Sequence, residues 1–469
     1  MPKVVPETVA KFAESVGQDY DTVSFLLGLL VCYPLGIIMN MIPYGKMRHA
    51  FSFLLGAFLL QFSLDVEWIH QMITSLIAYS MLALLPRSTS KWLVPTFAMV
   101  YMSAAHLHRQ FVNYLGYDMD FTSAQMVLTM KLYMFAYNFY DGGLIKEGKP
   151  DRAAKKCAPF AVKELPSIIE FLGFTFCFSN LMAGPAFEFS AYAAACNGSL
   201  LYDKDGKPRG KIPSNLLPTL IPFVKSIIIL GLFVVGSGKF PLLDPEDPQN
   251  ALPVIITPEF LANPWLYRIG YSLIGLFFLR FKYYFAWINA EGANNLWYAG
   301  FEGFTEDGEA QGWDIVCNID VLAFETAPSI KILSAAWNKK TANWLSRYVY
   351  IRTNGSLVAT YGLSAFWHGF YPGYYFFFFT VPLLTMCERV GKKKLSSRFN
   401  PSGKKWTPWG IVNIIATTLM ANYAVLPFPM LAFEWSIAVW KSHYFAGHIL
   451  AVAFYVLMQF VPSPKKKSD

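Results

Sequence analysis

His368 lies in LVATYGLSAFWHGFYPGYYFFFFTVPLL, a 28-residue run whose only acidic or basic side chain is that histidine. An ionisable group deep in apolar sequence is by default a functional candidate. Burial favours the neutral imidazole. A neutral imidazole at pH 7 accepts a proton, as a general base must. Pro372-Gly373 follows closely and should end one helix and start another, freeing backbone groups and making room for a cavity. The alternative is a structural histidine bonded to a neighbouring helix. Asn338, in SAAWNKKTANWLSRYVYIR, is the second candidate. Its amide can orient an imidazole or donate to a developing oxyanion; a helix cap or a solvated polar group is the simpler reading. Arg280, Lys282 and Glu291 cluster in FFLRFKYYFAWINAEGANNLWYAGF. The two cations fall late in an apolar segment, where they either snorkel to the interface or meet an anionic headgroup or nucleotide phosphate.

The other reactive residue types lack a useful pattern. His106 and His108 are two apart and His443 and His448 five apart, spacings poor for sharing a metal on one helix face. No HExxH or CxxC accompanies them, so no metal is assigned. His49 and His70 fall near segment ends. Cys32, Cys157, Cys177, Cys196, Cys317 and Cys387 read as small apolar packing residues rather than a disulfide framework.

A base of this kind needs a scaffold that excludes water. The 469 residues are 54% hydrophobic and 17% aromatic but only 15% charged, against about 25% charged in a soluble domain. That balance excludes disorder, a coiled coil and an ordinary cytosolic enzyme. With 39 basic and 31 acidic side chains the net charge is +8, too dilute for a nucleic-acid partner. The expected fold is one all-α, multi-pass membrane domain.

A crossing needs roughly 20 apolar residues, fewer where neighbouring helices shield it. Candidate segments are 23–42, 51–64, 68–85, 92–107, 124–140, 165–182, 216–238, 265–288, 356–370, 374–387, 409–427 and 445–462. The start of the chain lacks the pattern of a cleaved signal, so the run from Val23 reads as a signal anchor. Basic loops at 46–48, 87–91, 146–163, 203–211 and 392–405 should face the cytosol. They do so if 165–201 is re-entrant or partly interfacial. This predicts about 11 transmembrane helices, with a lumenal N-terminus (1–22), a single domain (23–462) and a basic cytosolic tail (463–469). Asn197-Gly-Ser and Asn354-Gly-Ser then read as unused glycosylation patterns. The stretch after Glu325 mixes Trp, Tyr, Leu, Lys and Arg, the composition of amphipathic helices lying at the interface. Lys466 and Lys467 resemble a dilysine retrieval signal of the endoplasmic reticulum.

Four stretches together resemble the membrane-bound O-acyltransferase family, and within it the lysophospholipid acyltransferase branch. They are MDFTSAQMVLTMKL with NFYDGG, FSNLMAGPAFEFSAY, RFKYYFAWINAEGANN, and WNKKTANWLSRYVYIR with SAFWHGFYPGYY, in family order from Met119 to Tyr375. The resemblance implies an all-helical fold around a membrane-buried chamber. It implies that His368 is the family's histidine and Asn338 its asparagine or aspartate partner. It also implies acyl-CoA as co-substrate, with no tightly bound cofactor, and a lysophospholipid acceptor. Trp337, Lys339, Lys340, Arg347, Arg352, Arg280, Lys282 and Glu291 are then expected substrate contacts, the basic ones through charge-assisted hydrogen bonds to CoA phosphates. Family branches that acylate proteins or sterols, and multi-pass transporters, are the competing readings.

Overall fold

The computed structural model describes residues 7–15, 19–116, 119–400 and 404–462. Among these, helices are the only regular elements; extended pairing is confined to two isolated bridges, Tyr202 with Pro208 and Phe304 with Ala310. Long apolar runs must satisfy their backbone groups internally, and a helix does so. Polar residues set the starts. Asp19 opens Tyr20–Met41 by accepting the Thr22 N–H at 2.7 Å. Thr407 caps Pro408–Val425, whose proline sits in the first turn, where its missing N–H costs nothing.

Four stretches of the described chain are long and apolar enough to cross a membrane: Tyr20–Met41, Lys46–Leu84, Leu216–Lys239 and Pro408–Met430. The pair Phe433–Ser442 and Ala446–Phe460, bent by 66°, makes a fifth if taken as one span. Other expected segments differ for visible reasons. Thr122–Lys146 carries Lys131 and Asp141, Trp265–Leu296 carries Arg268, Arg280, Lys282 and Glu291, and Leu357–His368 has only 12 residues. Most of these charged groups are paired inside the bundle, as described below.

Hydrogen bonds tie the loops into two groups. At one end, the Asn40 and Asn215 amides both reach the Leu296 carbonyl, Arg87 reaches Phe139 and Lys163, Arg352 reaches Asp141, and Lys394 reaches Met458. At the other, the Met119 N–H meets Asp21, the Phe121 N–H meets Glu67, Gln249 meets Tyr114, and the Leu115 N–H meets the Tyr371 hydroxyl. Between the two ends, Leu216–Lys239 turns Val224, Ile228 and Val235 outward, an apolar face that suits lipid.

The 165–201 segment enters and leaves at the first end. The Pro166 carbonyl accepts from Tyr79, and Asn197 meets His49 at 3.2 Å. Between them a capping box of Ser167 and Glu170 starts Ile168–Thr175, which stops after eight residues. The stop frees carbonyls in a core where Phe171, Phe174, Phe176 and Phe178 are almost wholly buried. Lys131 answers them. Its ammonium, fully buried, donates to the Phe174 carbonyl at 2.9 Å, the Thr175 carbonyl at 3.4 Å and the Asn180 side-chain oxygen at 2.7 Å. The segment lies so close to Lys46–Leu64 that a Cβ at Gly56 would stand 1.6 Å from the Phe176 carbonyl oxygen.

Candidate functional site

Ser356 caps Leu357–His368 through the Ala359 N–H, and His368 is the last residue of that helix. Gly369, at φ 113°, cannot continue it, and Pro372 opens Pro372–Gly391. The break foreseen at Pro372-Gly373 therefore leaves the histidine at a helix end. Trp367 locks it in place: its indole N–H donates to the Met126 carbonyl at 3.1 Å, and its own carbonyl accepts from His106 Nε2 at 3.2 Å. The His368 ring stands among Trp367, Tyr374, Phe378 and Phe428, with centroids 4.7 to 5.6 Å away. Among the described residues, neither ring nitrogen has a hydrogen-bond partner. The ring is not sealed, because one side faces a cavity of about 1270 Å³.

The same cavity reaches Asn338. This residue precedes Lys339–Leu345 and holds a left-handed conformation, φ 43° and ψ 54°, which asparagine tolerates better than most side chains. Asn318, almost fully buried, secures the turn. Its side-chain oxygen accepts the Lys340 N–H at 2.9 Å, its carbonyl accepts the Lys339 N–H at 2.8 Å, and its amide nitrogen donates to Asn338 Oδ1 at 3.1 Å. Trp337 packs against Tyr283, Tyr284, Trp287 and Phe324, with centroids 5.0 to 5.9 Å away. Asn338 thus hangs from a rigid aromatic block. Much of the cavity wall between these groups is apolar, including Val127, Met130, Met182 and Leu345. Its volume exceeds the roughly 300–1,000 Å³ of ordinary small-ligand pockets.

The basic residues divide. Arg280 and Lys282 line the cavity. Arg280 is held by Glu325 at 3.1 and 3.0 Å and by Asn422 at 2.7 Å, and the Tyr284 hydroxyl also binds Glu325. Lys282 has no ion pair among the described residues; its ammonium stands 5.1 Å from the Tyr283 ring. Glu291 and Lys339 meet at Cys317, beside the cavity rather than on its wall. Lys340 donates to the Asp314 carbonyl at 2.9 Å, and burial pushes its ammonium down to about 8.

Arg347 and Arg352 do not line the cavity. Arg347 pairs with Glu188 at 3.0 Å and lies over the Phe160 ring. Arg352 pairs with Asp141 through two bonds, 3.2 and 2.6 Å, and lies over Tyr137. The Tyr348 hydroxyl joins Glu188 to Asn138. These carboxylates, with Asn138, fasten the 339–353 segment to the rest of the bundle. Sequence reasoning gave Asp141 and Glu188 no role, although each is a lone acid in a quoted stretch, NFYDGG and AGPAFEF. Asn318 carried no signal at all; it is one polar residue in a loop.

The chain as a whole is similar to known proteins. The membrane-bound O-acyltransferase family matches residues 108–426. A lysophospholipid acyltransferase of Schizosaccharomyces pombe is 30% identical over 93% of this chain and 86% of its own length. One of Saccharomyces cerevisiae is 29% identical over 99% of this chain and 78% of its own. The membrane-bound glycerophospholipid O-acyltransferase 2 of Rattus norvegicus is 30% identical over 90% and 80%. The chain belongs to the membrane-bound O-acyltransferase family.

Proposed function

We propose that this family member transfers a fatty acyl chain from acyl-CoA to the free hydroxyl of a lysophospholipid, remaking a diacyl phospholipid. The observation that carries the reading is an imidazole, His368, with no hydrogen-bond partner among the described residues, sharing one apolar cavity with a clamped amide, Asn338. His368 takes the proton from the lysolipid hydroxyl as its oxygen attacks the thioester carbonyl. The tetrahedral intermediate collapses, the carbon–sulfur bond breaks, and the imidazolium returns the proton to the leaving sulfur. The ester and free CoA are the products. Asn338 supports either the ring or the oxyanion. The apolar wall keeps water from hydrolysing the thioester. Lys282, which lines the cavity, and Lys340, beside the Asn338 turn, are the cations we assign to CoA phosphates; among the described residues neither has an ion pair. We assign Arg280, Arg347 and Arg352 to structure, because carboxylates hold them. Trp337, Lys339 and Glu291 shape the turn and the wall beside it.

We also propose eleven crossings, a lumenal N-terminus and a cytosolic C-terminus in the endoplasmic reticulum membrane. The two groups of loop contacts support this, because eleven helices alternate between the ends if 165–201 returns to its starting side. Lys466 and Lys467 lie outside the described residues. The test is a panel of lysophospholipids, sterols and peptides offered with labelled acyl-CoA to the purified protein. Label in diacyl phospholipid with matching CoA release supports the reading. Label in sterol or peptide, or transport into liposomes without CoA release, overturns it.

A further inference from the structure

We propose that Asn318 is a positioning residue that fixes which end of the Asn338 amide faces the cavity, making Asn338 a hydrogen-bond donor to the thioester oxygen. The inference rests on the acyl-transfer reading of His368 and Asn338 and adds the direction of one bond.

The direction follows from a chain of three groups. The Lys340 backbone N–H can only donate, so the Asn318 atom it meets at 2.9 Å is the oxygen. The other end of that amide is therefore NH2, which also can only donate. It faces Asn338 at 3.1 Å, so Asn338 turns its oxygen there. The Asn338 NH2 is left over. It has no partner among the described residues, and Asn338 lines the cavity that holds His368. The Asn318 carbonyl also accepts the Lys339 N–H at 2.8 Å, so both sides of the Asn338 turn are anchored to one buried residue.

A donor and an acceptor at this place do different work. A general base needs one imidazole nitrogen free to accept and is steadied by an acceptor for the N–H of the other. The oxygen of Asn338 already accepts from Asn318, and among the described residues no bond runs from it to the His368 ring. The free NH2 suits the carbonyl oxygen of a thioester, which gains negative charge when the hydroxyl attacks. His368 itself is held by aromatic packing and by the locked Trp367, not by Asn338. The two groups therefore act on opposite charges: the imidazole on the departing proton, the amide on the growing oxyanion.

The test is Asn318→Asp in the full-length protein. The aspartate still accepts the Lys340 N–H but offers no donor to Asn338, whose amide is then favoured in the reversed orientation. Losing one oxyanion donor costs roughly 100- to 1,000-fold in kcat. A fall of that size is expected, with KM for acyl-CoA and lysolipid changed less than about threefold and an unfolding temperature close to wild type. Introducing Asn318→Asp into Asn338→Ala should cause almost no further loss, because the donor is already gone. An equal loss in both backgrounds, or a loss carried by KM, would overturn the proposal. Should Asn318→Asp fail to fold, Asn338→Asp decides. That carboxyl group donates only when protonated, so at neutral pH and above activity should fall as far as in Asn338→Ala; activity near wild type across that range would overturn the donor role. The underlying reading fails separately, if His368→Ala keeps its rate.

Discussion

Two polar regions a few turns of chain apart are built in opposite ways. In the 347–352 stretch every charge has a partner: Arg347 with Glu188, Arg352 with Asp141, and Tyr348 bridging to Asn138. At the cavity, His368 has no hydrogen bond from its ring among the described residues, and Asn338 has spent only its oxygen. A buried polar group normally finds its partners within the fold. Groups that satisfy one another make scaffolding. Groups left with unused capacity toward a cavity are available for substrate. By this criterion the arginines that look suited to phosphate in the sequence belong to the frame, and the chemistry belongs to two cavity-lining side chains with capacity to spare.

The contrast can be broken most forcefully at Arg352. Its side chain is 8% exposed and that of Asp141 is fully buried. Removing one partner of such a pair costs roughly 3–5 kcal/mol, because the other charge is stranded. Arg352→Ala should therefore lower stability by about that amount in detergent unfolding, while the molecules that remain folded keep their KM for acyl-CoA. The double replacement Asp141→Leu with Arg352→Met should recover most of the loss. A raised KM at unchanged stability would return Arg352 to the substrate.

Lys282 sharpens the comparison from the other side. It faces the cavity with no ion pair among the described residues, whereas Arg280, about half a turn earlier, is held by Glu325. An exposed pair is worth about 0.2–1 kcal/mol, so Lys282→Ala should raise the acyl-CoA KM by a factor of about 1.4 to 5 with little change in unfolding temperature. Arg280→Ala should show the converse, a stability loss before any kinetic change.

The smallest effect is the pH dependence from Lys340. Burial holds its ammonium at about 8, so it carries charge below that pH and loses it above. If it meets a CoA phosphate, kcat/KM for acyl-CoA, which reports the free enzyme, should fall a fewfold as pH rises through 8. Lys340→Arg stays charged throughout and should flatten that step. A step that survives the replacement belongs to another group.

Much of this was legible in the sequence. The Pro372-Gly373 break, the lone histidine before it and the hydrophobic runs follow from local chemistry. The proposed re-entrant path of 165–201 rests on the basic loops to either side, which ask for an even number of crossings between them. What was not legible is long-range pairing. Arg352 finds Asp141 211 residues away and Arg347 finds Glu188 159 residues away, and nothing in the neighbourhood of either arginine announces its partner. Asn318 reaches Asn338 across a loop whose path is set by the Trp337 aromatic block, so its role emerges only when the chain is folded. The segments Thr122–Lys146 and Trp265–Leu296 are less apolar than isolated crossings because their charges are answered by other helices, Lys131 by the 174–180 carbonyls and Asn180, and Arg280 by Glu325.

The most direct test follows labelled acyl-CoA with a lysophospholipid acceptor, comparing wild type and His368→Ala, with thermal unfolding measured in the same detergent. A positioned general base contributes roughly 100- to 10,000-fold. The expected result is loss of diacyl phospholipid and of CoA release by at least the lower figure at an unchanged unfolding temperature. A folded variant that still acylates lysolipid at a near-normal rate would contradict the account.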